Sequence, residues 1–271
     1  MRYLERMENP HPDAPLIEDL ATALSGVAGL RALFLSGSHG RGTADRFSDV
    51  DLLGVAEAEA NPAVIAAFRA ALESGPGCVF FQELFGGRLC NAITPGWRRV
   101  DLFLPEGLVG RAQNLLVPLF DPEGLHGTLP ERLPPVSPSP ERVARLTREF
   151  LRVLGLLHVG AGRGEAVLLV KGLGLLRDML TELMLQEVPE PDKGGALHLS
   201  CLLPPADMAL LDSLPYPGPD LPALLYAHRA LAEAFLPRAR ALHARLGLDW
   251  PAGFEAATRD VLRRELGLEI A

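Results

Sequence analysis

Leu33-Phe34-Leu35-Ser36-Gly37-Ser38-His39-Gly40-Arg41-Gly42, followed after a polar turn by Asp49-Val50-Asp51-Leu52-Leu53-Gly54-Val55, decides how this chain is read. An apolar run stops at a Gly-Ser pair, and a second apolar run opens on two carboxylates. Residues two apart on a strand point to the same face. Asp49 and Asp51 therefore project together and can share a divalent cation. The small Gly37-Ser38 pair lets backbone amides approach phosphate oxygens, the more so where a helix begins just beyond. Together these features describe a place to hold a metal-bound triphosphate.

The rest of the composition sets bounds around that reading. With 271 residues, 48% of them hydrophobic, the chain can bury one large core or two smaller ones. A net charge of −8 argues against a broad nucleic-acid surface, which would be basic, and suits a small or cationic substrate. Cys78, Cys90 and Cys201 are scattered and form no C-x-x-C pair, so neither a zinc site nor a disulfide framework is indicated. His198 and Cys201 are three apart, but no second pair accompanies them. Met1-Arg2-Tyr3-Leu4-Glu5-Arg6 lacks the apolar core of a signal peptide. Val167 to Leu185, the most apolar later stretch, is interrupted by Lys171, Arg177, Asp178 and Glu182 and is too charged for a bilayer span. The expectation is a cytoplasmic protein without a membrane partner.

Working outward from the motif, residues 16–29 carry Leu16, Ile17, Leu20, Leu24 and Val27 at helical spacing. The pattern then predicts strands at about 32–36 and 50–55, with a short helix after Gly40 between them. Pro62 opens a helix over 63–73. Strands at 79–84 and 88–93 flank Phe85-Gly86-Gly87, a hairpin signal. A strand follows over 98–104, and a last short one over 115–120. Residues 127–139 read as a linker, with prolines at 130, 134, 135 and 138, then Pro140. Ser139-Pro140-Glu141 is a strong helix start. Beyond it the periodicity is helical throughout. A stripe of Leu146, Phe150, Val153, Leu154 and Leu157 comes first. A stretch over 164–187, apolar nearly all round, predicts a buried central helix. A long helix kinked at Pro237 and a last one near Phe254 to Leu266 complete the pattern. The expected architecture is an α/β (α+β) domain with a mixed, twisted sheet of about five strands over residues 1–126. A linker over 127–139 leads to an all-α bundle of four or five helices over 140–271.

A third acid stands where the chemistry wants one. Asp101 lies in the strand-like run Trp97-Arg98-Arg99-Val100-Asp101-Leu102-Phe103-Leu104. Three acids on neighbouring strands can hold two magnesium ions, which prefer oxygen ligands and complete their shells with substrate phosphates. Gly-Ser, a ten-residue gap, Asp-x-Asp and a later strand aspartate resemble the DNA polymerase β-type nucleotidyltransferase superfamily. A helical C-terminal domain after the catalytic one resembles its antibiotic branch, the aminoglycoside and lincosamide nucleotidyltransferases. The motif-bearing resemblance covers about residues 30–104; the helical half is similar in layout only. The resemblance implies that Gly37 and Ser38 bind the triphosphate and that Asp49, Asp51 and Asp101 hold magnesium, with Asp101 also a candidate general base. It further implies ATP or another nucleoside triphosphate as co-substrate. Attack of a small molecule's hydroxyl on the α-phosphorus would release pyrophosphate, a step governed by positioning and charge neutralisation.

Each assignment has a plainer rival. Asp101 can pair with Arg98 or Arg99 as a surface acid. Glu83 is the rival base, its plainer reading an exposed strand glutamate. Lys171 either lines an interdomain cleft and meets phosphate or snorkels to solvent. Arg41, Arg46 and His39 flank the motif and can touch phosphate or simply occupy a loop. Glu165 and Asp178 can face a cationic acceptor or occupy solvated turns. Two other functions compete with small-molecule transfer: a protein adenylyltransferase, and a non-catalytic nucleotidyltransferase-like antitoxin or regulator. The presence of all three acids disfavours the last.

Overall fold

The computed structural model describes residues 12–193 and 199–270. The N-terminal residues read above for a leader, and His198, lie outside them. The chain divides into two compact units at Pro134/Pro135. Two backbone bonds of the proline-rich stretch show where the division falls. Gln113 N–H donates to the Pro130 carbonyl at 2.9 Å, whereas Val136 N–H donates to that of Pro189 at 2.8 Å. The first part of the stretch thus belongs to the first unit and its end to the second.

In the first unit, α1 (Ala14–Ser25) precedes β1 (Leu30–Leu35), the short α2 (Gly37–Arg41) and β2 (Val50–Ala56). Then come α3 (Asn61–Ser74), β3 (Phe80–Leu84), β4 (Leu89–Ile93), β5 (Arg99–Phe103) and β6 (Val117–Phe120). The strands form one six-stranded sheet in the order β3-β4-β5-β2-β1-β6, and each corresponds to one of the six strand stretches read from the sequence. Only β2 and β5 run parallel; every other neighbouring pair is antiparallel. The alternation of side chains divides the sheet into two faces. Leu33, Leu35, Leu52, Val100 and Leu102 pack with Ile17, Leu20 and Leu24 of α1 and Val64, Phe68 and Leu72 of α3. Ala32, Phe34, Leu53 and Val55 form a smaller cluster with Leu116 on the opposite face. The acids of the motif are on the latter face, the one that α1 and α3 leave uncovered.

The short helix between β1 and β2 begins at Gly37, not after Gly40. Gly40 is needed inside it, because a Cβ there would stand 2.2 Å from the Leu115 carbonyl oxygen. Gly42, at φ +72°, is the left-handed residue that ends it. Three glycines in six residues hide which one caps and which one packs.

The second unit contains helices and no strand among its described residues. It comprises α4 (Pro140–Gly155), α5 (Leu157–Gly162), α6 (Ala166–Gln186), α7 (Leu199–Leu202), α8 (Pro205–Ser213), α9 (Leu221–Leu246) and α10 (Ala252–Leu266). The Ser139 side chain caps α4 by accepting from Arg142 N–H at 3.2 Å. Phe150 of α4 stacks on Phe235 of α9 with ring centroids 3.8 Å apart. Leu176, Leu180 and Leu183 of α6 and Leu231 of α9 join that core, all fully buried. α9 continues through Pro237, which the helix contains. α6 departs from expectation: it is not buried all round. Leu169, Leu173 and Leu176 face the core, but Val167, Leu168 and Leu175 are exposed. An apolar sequence on every side of a helix sets an upper bound on burial, and here the neighbouring helices cover one side only.

Candidate active site

The site is built where β1 ends and β2 begins. Ser36 N–H donates to the Asp51 carbonyl at 2.9 Å, which ties the end of β1 to the start of β2. The chain then turns through Gly37 at φ +58°. A Cβ on Gly37 would fall 1.9 Å from Asp51 Oδ2, so only glycine lets the backbone lie against that carboxylate. Ser38 follows, buried, with an Oγ that has no hydrogen-bond partner. A buried hydroxyl without a partner is costly unless something accepts or donates to it. A phosphate oxygen is one group that would satisfy it.

Parallel pairing brings the third acid in. Asp51 on β2 is directly opposite Asp101 on β5, and Asn91 of β4 is opposite Asp101 on its other side. Directly paired residues share a face. Asp49, one residue before β2, shares the face of Asp51 by alternation. Asp49, Asp51 and Asp101 each offer a carboxylate oxygen, and the three oxygens lie within 4.8 Å of one another. An all-oxygen, all-carboxylate donor set of this size suits magnesium, with waters and phosphates completing the shell.

The electrostatics agree with the geometry. Burial, then the carboxylates of Asp49 and Asp101, push Asp51 up to about 6, against the pull of Arg99 and Arg41. Asp101 is raised as well, mainly by burial; the Asn91 hydrogen bond and Arg99 hold it down, and Asp49 raises it further. Asn91 Nδ2 donates to Asp101 Oδ1 at 2.8 Å. Arg99 Nη2 reaches Asp49 Oδ2 at 2.6 Å and Asp101 Oδ2 at 3.5 Å.

The other candidates fall elsewhere. Glu83 is opposite Cys90, one register step from the Gln82–Asn91–Asp101 row, so it points to the other face of the sheet. There it borders a cleft with Asn61, Ile65 and Arg69 of α3. Register therefore separates Glu83 from the three acids. His39 is buried, with Nε2 3.9 Å from Asp13 Oδ2. Arg46 lies over the Phe47 ring at 4.2 Å. Arg41 is close enough to Asp51 to favour its charged form. Lys171 and Asp178 are exposed on α6, and Glu165 is exposed at that helix's N-cap. Cys78, Cys90 and Cys201 are free thiols.

Four further residues hold the site in place; the sequence offers Arg98 and Arg99 only as ion-pair partners of Asp101, and gives no sign of Asn91 or Asp13. Asn91 fixes the Asp101 carboxylate, and Arg99 spans Asp49 and Asp101. Arg98 Nε pairs with buried Asp13 at 2.8 Å. Arg98 Nη1 also donates to the carbonyls of Arg46 and Ser48, at 3.3 and 3.1 Å, which anchors the turn leading into Asp49. The one available signal was the alternation Arg99-x-Asp101, which puts both residues on one face; the roles of Asn91 and Asp13 depend on pairing between distant segments.

No protein-family model matches the chain, and no curated protein matches it. Among solved structures, an aminoglycoside 6-adenyltransferase from Bacillus subtilis aligns over 93% of this chain and 98% of its own, at 14% identity and a TM-score of 0.43. So loose a similarity carries no activity across, and the reading of the site stands on its own geometry. No helix among the described residues is long and apolar enough to cross a membrane.

Proposed function

We propose that this chain is a magnesium-dependent nucleotidyltransferase that moves a nucleoside monophosphate, AMP from ATP, onto the hydroxyl of a small molecule and releases pyrophosphate. The observation that carries the reading is the convergence of Asp49, Asp51 and Asp101 beside the Gly37-Ser38 turn. Asp49, Asp51 and Asp101 would hold one or two divalent cations. When bound, these would neutralise the triphosphate and polarise the α-phosphate. The Gly37 backbone and the Ser38 hydroxyl bind phosphate oxygens. Asp101 takes the acceptor's hydroxyl proton. The new bond joins the acceptor oxygen to the α-phosphorus, and the bond from that phosphorus to the bridging oxygen of pyrophosphate breaks. Lys171, exposed on α6, is the sequence's candidate for a further phosphate contact. The acceptor class comes from the resemblance alone: an antibiotic of aminoglycoside or lincosamide type.

The test is a pair of measurements on Asp49→Asn and Asp51→Asn, which remove charge while keeping shape. Pyrophosphate release is followed with ATP, magnesium and a panel of aminoglycosides, lincosamides and candidate protein acceptors. Mn2+ binding is followed separately. Both variants are expected to lose transfer by about a hundred- to a thousandfold, the scale of losing a principal electrostatic group, and to bind Mn2+ poorly. Wild-type turnover in either variant would refute the assignment. Labelling of protein acceptors alone would redirect it to protein adenylylation. Mn2+ and nucleotide binding without transfer to any acceptor would favour a regulator.

A further inference from the structure

We infer that Arg99 is the exchangeable counter-ion of the acidic centre: its guanidinium holds Asp49 and Asp101 until a divalent cation takes the same oxygens. This inference rests on the metal-binding reading above. The pairing of β2 with β5 starts at Val50 opposite Val100, so Arg99 stands level with Asp49, just ahead of the first paired residues. Alternation along β5 puts Arg99 on the same face as Asp101. Both carboxylates lie on that face, and Arg99 bridges them through Nη2.

The oxygens involved make the two cations rivals. Asp101 Oδ1 accepts from Asn91, and the other carboxylate oxygen, Oδ2, faces Arg99. Asp49, whose Oδ2 is the closest partner of Arg99, belongs to the same cluster. A guanidinium carries no free lone pair and does not lose its proton, so it can neither join the coordination shell nor become neutral. A divalent ion among these carboxylates would repel it at close range. The Arg99 side chain is 46% exposed, so it can leave for solvent without uncovering a core. Arg99 thus offsets the charges of Asp49 and Asp101 before the metal arrives and sets the threshold concentration at which it enters. Once displaced, its charge remains at the rim of the same face, where a triphosphate would approach.

The experiment is a Mn2+ titration of the nucleotide-free, full-length protein, read by electron paramagnetic resonance. Arg99→Gln removes the rival charge and is expected to bind Mn2+ about two- to fivefold more tightly than wild type, the range for a partly exposed ion pair. Arg99→Lys restores a positive charge and should return the affinity to within about twofold of wild type. In the wild-type protein, the Arg99 Nε–H resonance should move to the position of a free guanidinium on adding Mg2+, a readout that needs no variant. Mn2+ binding in Arg99→Gln no tighter than wild type, or an Arg99 resonance unmoved by saturating Mg2+, overturns the inference while leaving the metal centre intact. Wild-type Mn2+ affinity in Asp49→Asn overturns the metal centre itself, and the inference with it.

Discussion

Asp51 shows how much of the site's behaviour is fixed by one carboxyl. Its folded value of about 6 lies above its ordinary 3.8, so the folded chain holds this proton more tightly than the unfolded chain does. The acid's contribution to folding is therefore most favourable at low pH. It is lost as the pH rises through that window, a difference of about 3 kcal/mol across it. Metal binding has the opposite sign, because the ligand must be the carboxylate. Mn2+ affinity is expected to be level above about pH 7 and to fall about tenfold per unit below about pH 6, for one proton displaced. Titrations at several pH values from 5 to 8 check this; an affinity that stays flat down to pH 5 would show that Asp51 ligates nothing. At this scale, Asp49, Asp51, Gly37 and Ser38 were legible because their relation is local: two residues apart on a strand, or adjacent in a turn. Asp101 was legible as a strand acid of the same half. In the sequence Arg99 shows only as an alternative partner for Asp101, and Asn91 and Asp13 give no signal. Their contacts depend on which strands become neighbours, and spacing along a chain does not carry that information.

Among the elements, α2 and the turn before it are the most constrained. Gly37 combines a positive φ with a contact that leaves no room for a methyl group. Gly37→Ala is expected to cost about 1–3 kcal/mol of stability and to weaken Mn2+ binding by roughly tenfold or more, since the methyl can fit only if the Asp51 carboxylate moves. A thermal melt alongside a Mn2+ titration checks both; an alanine variant with wild-type melting and affinity would show that the turn relaxes freely. Strand positions were readable to within a residue or two, because alternation and the Gly-rich hairpin at Phe85-Gly86-Gly87 bound them closely. The limits of α2 were not, since glycine serves there both for packing and for capping. The exposed side of α6 was hidden for a different reason: Val167, Leu168 and Leu175 carry the composition of a core, and only the placement of the other helices decides that they are not in it.

Across the whole molecule, the change from strands to helices after the prolines was plain in the sequence, and each unit has its own buried core. The second core centres on the stacked Phe150–Phe235 pair. Phe235→Ala should remove about 3–5 kcal/mol from the second unit while leaving Mn2+ affinity unchanged, because every carboxylate of the cluster lies in the first. Denaturant unfolding followed by circular dichroism, with Mn2+ binding measured under native conditions, tests this; lost metal affinity in a folded variant would mean that the helical unit helps to shape the acids. The parallel pairing of β2 with β5 has a consequence in time. Helices and the β3–β4 hairpin close over short stretches of chain, within microseconds. The meeting of Asp51 with Asp101 must wait until α3 and the whole hairpin have been looped out, the slow, non-local kind of contact. A luminescent lanthanide added during refolding would therefore stay dark while local structure accumulates, and brighten only as the two strands join, so that the acids act as a clock for the closing of the sheet.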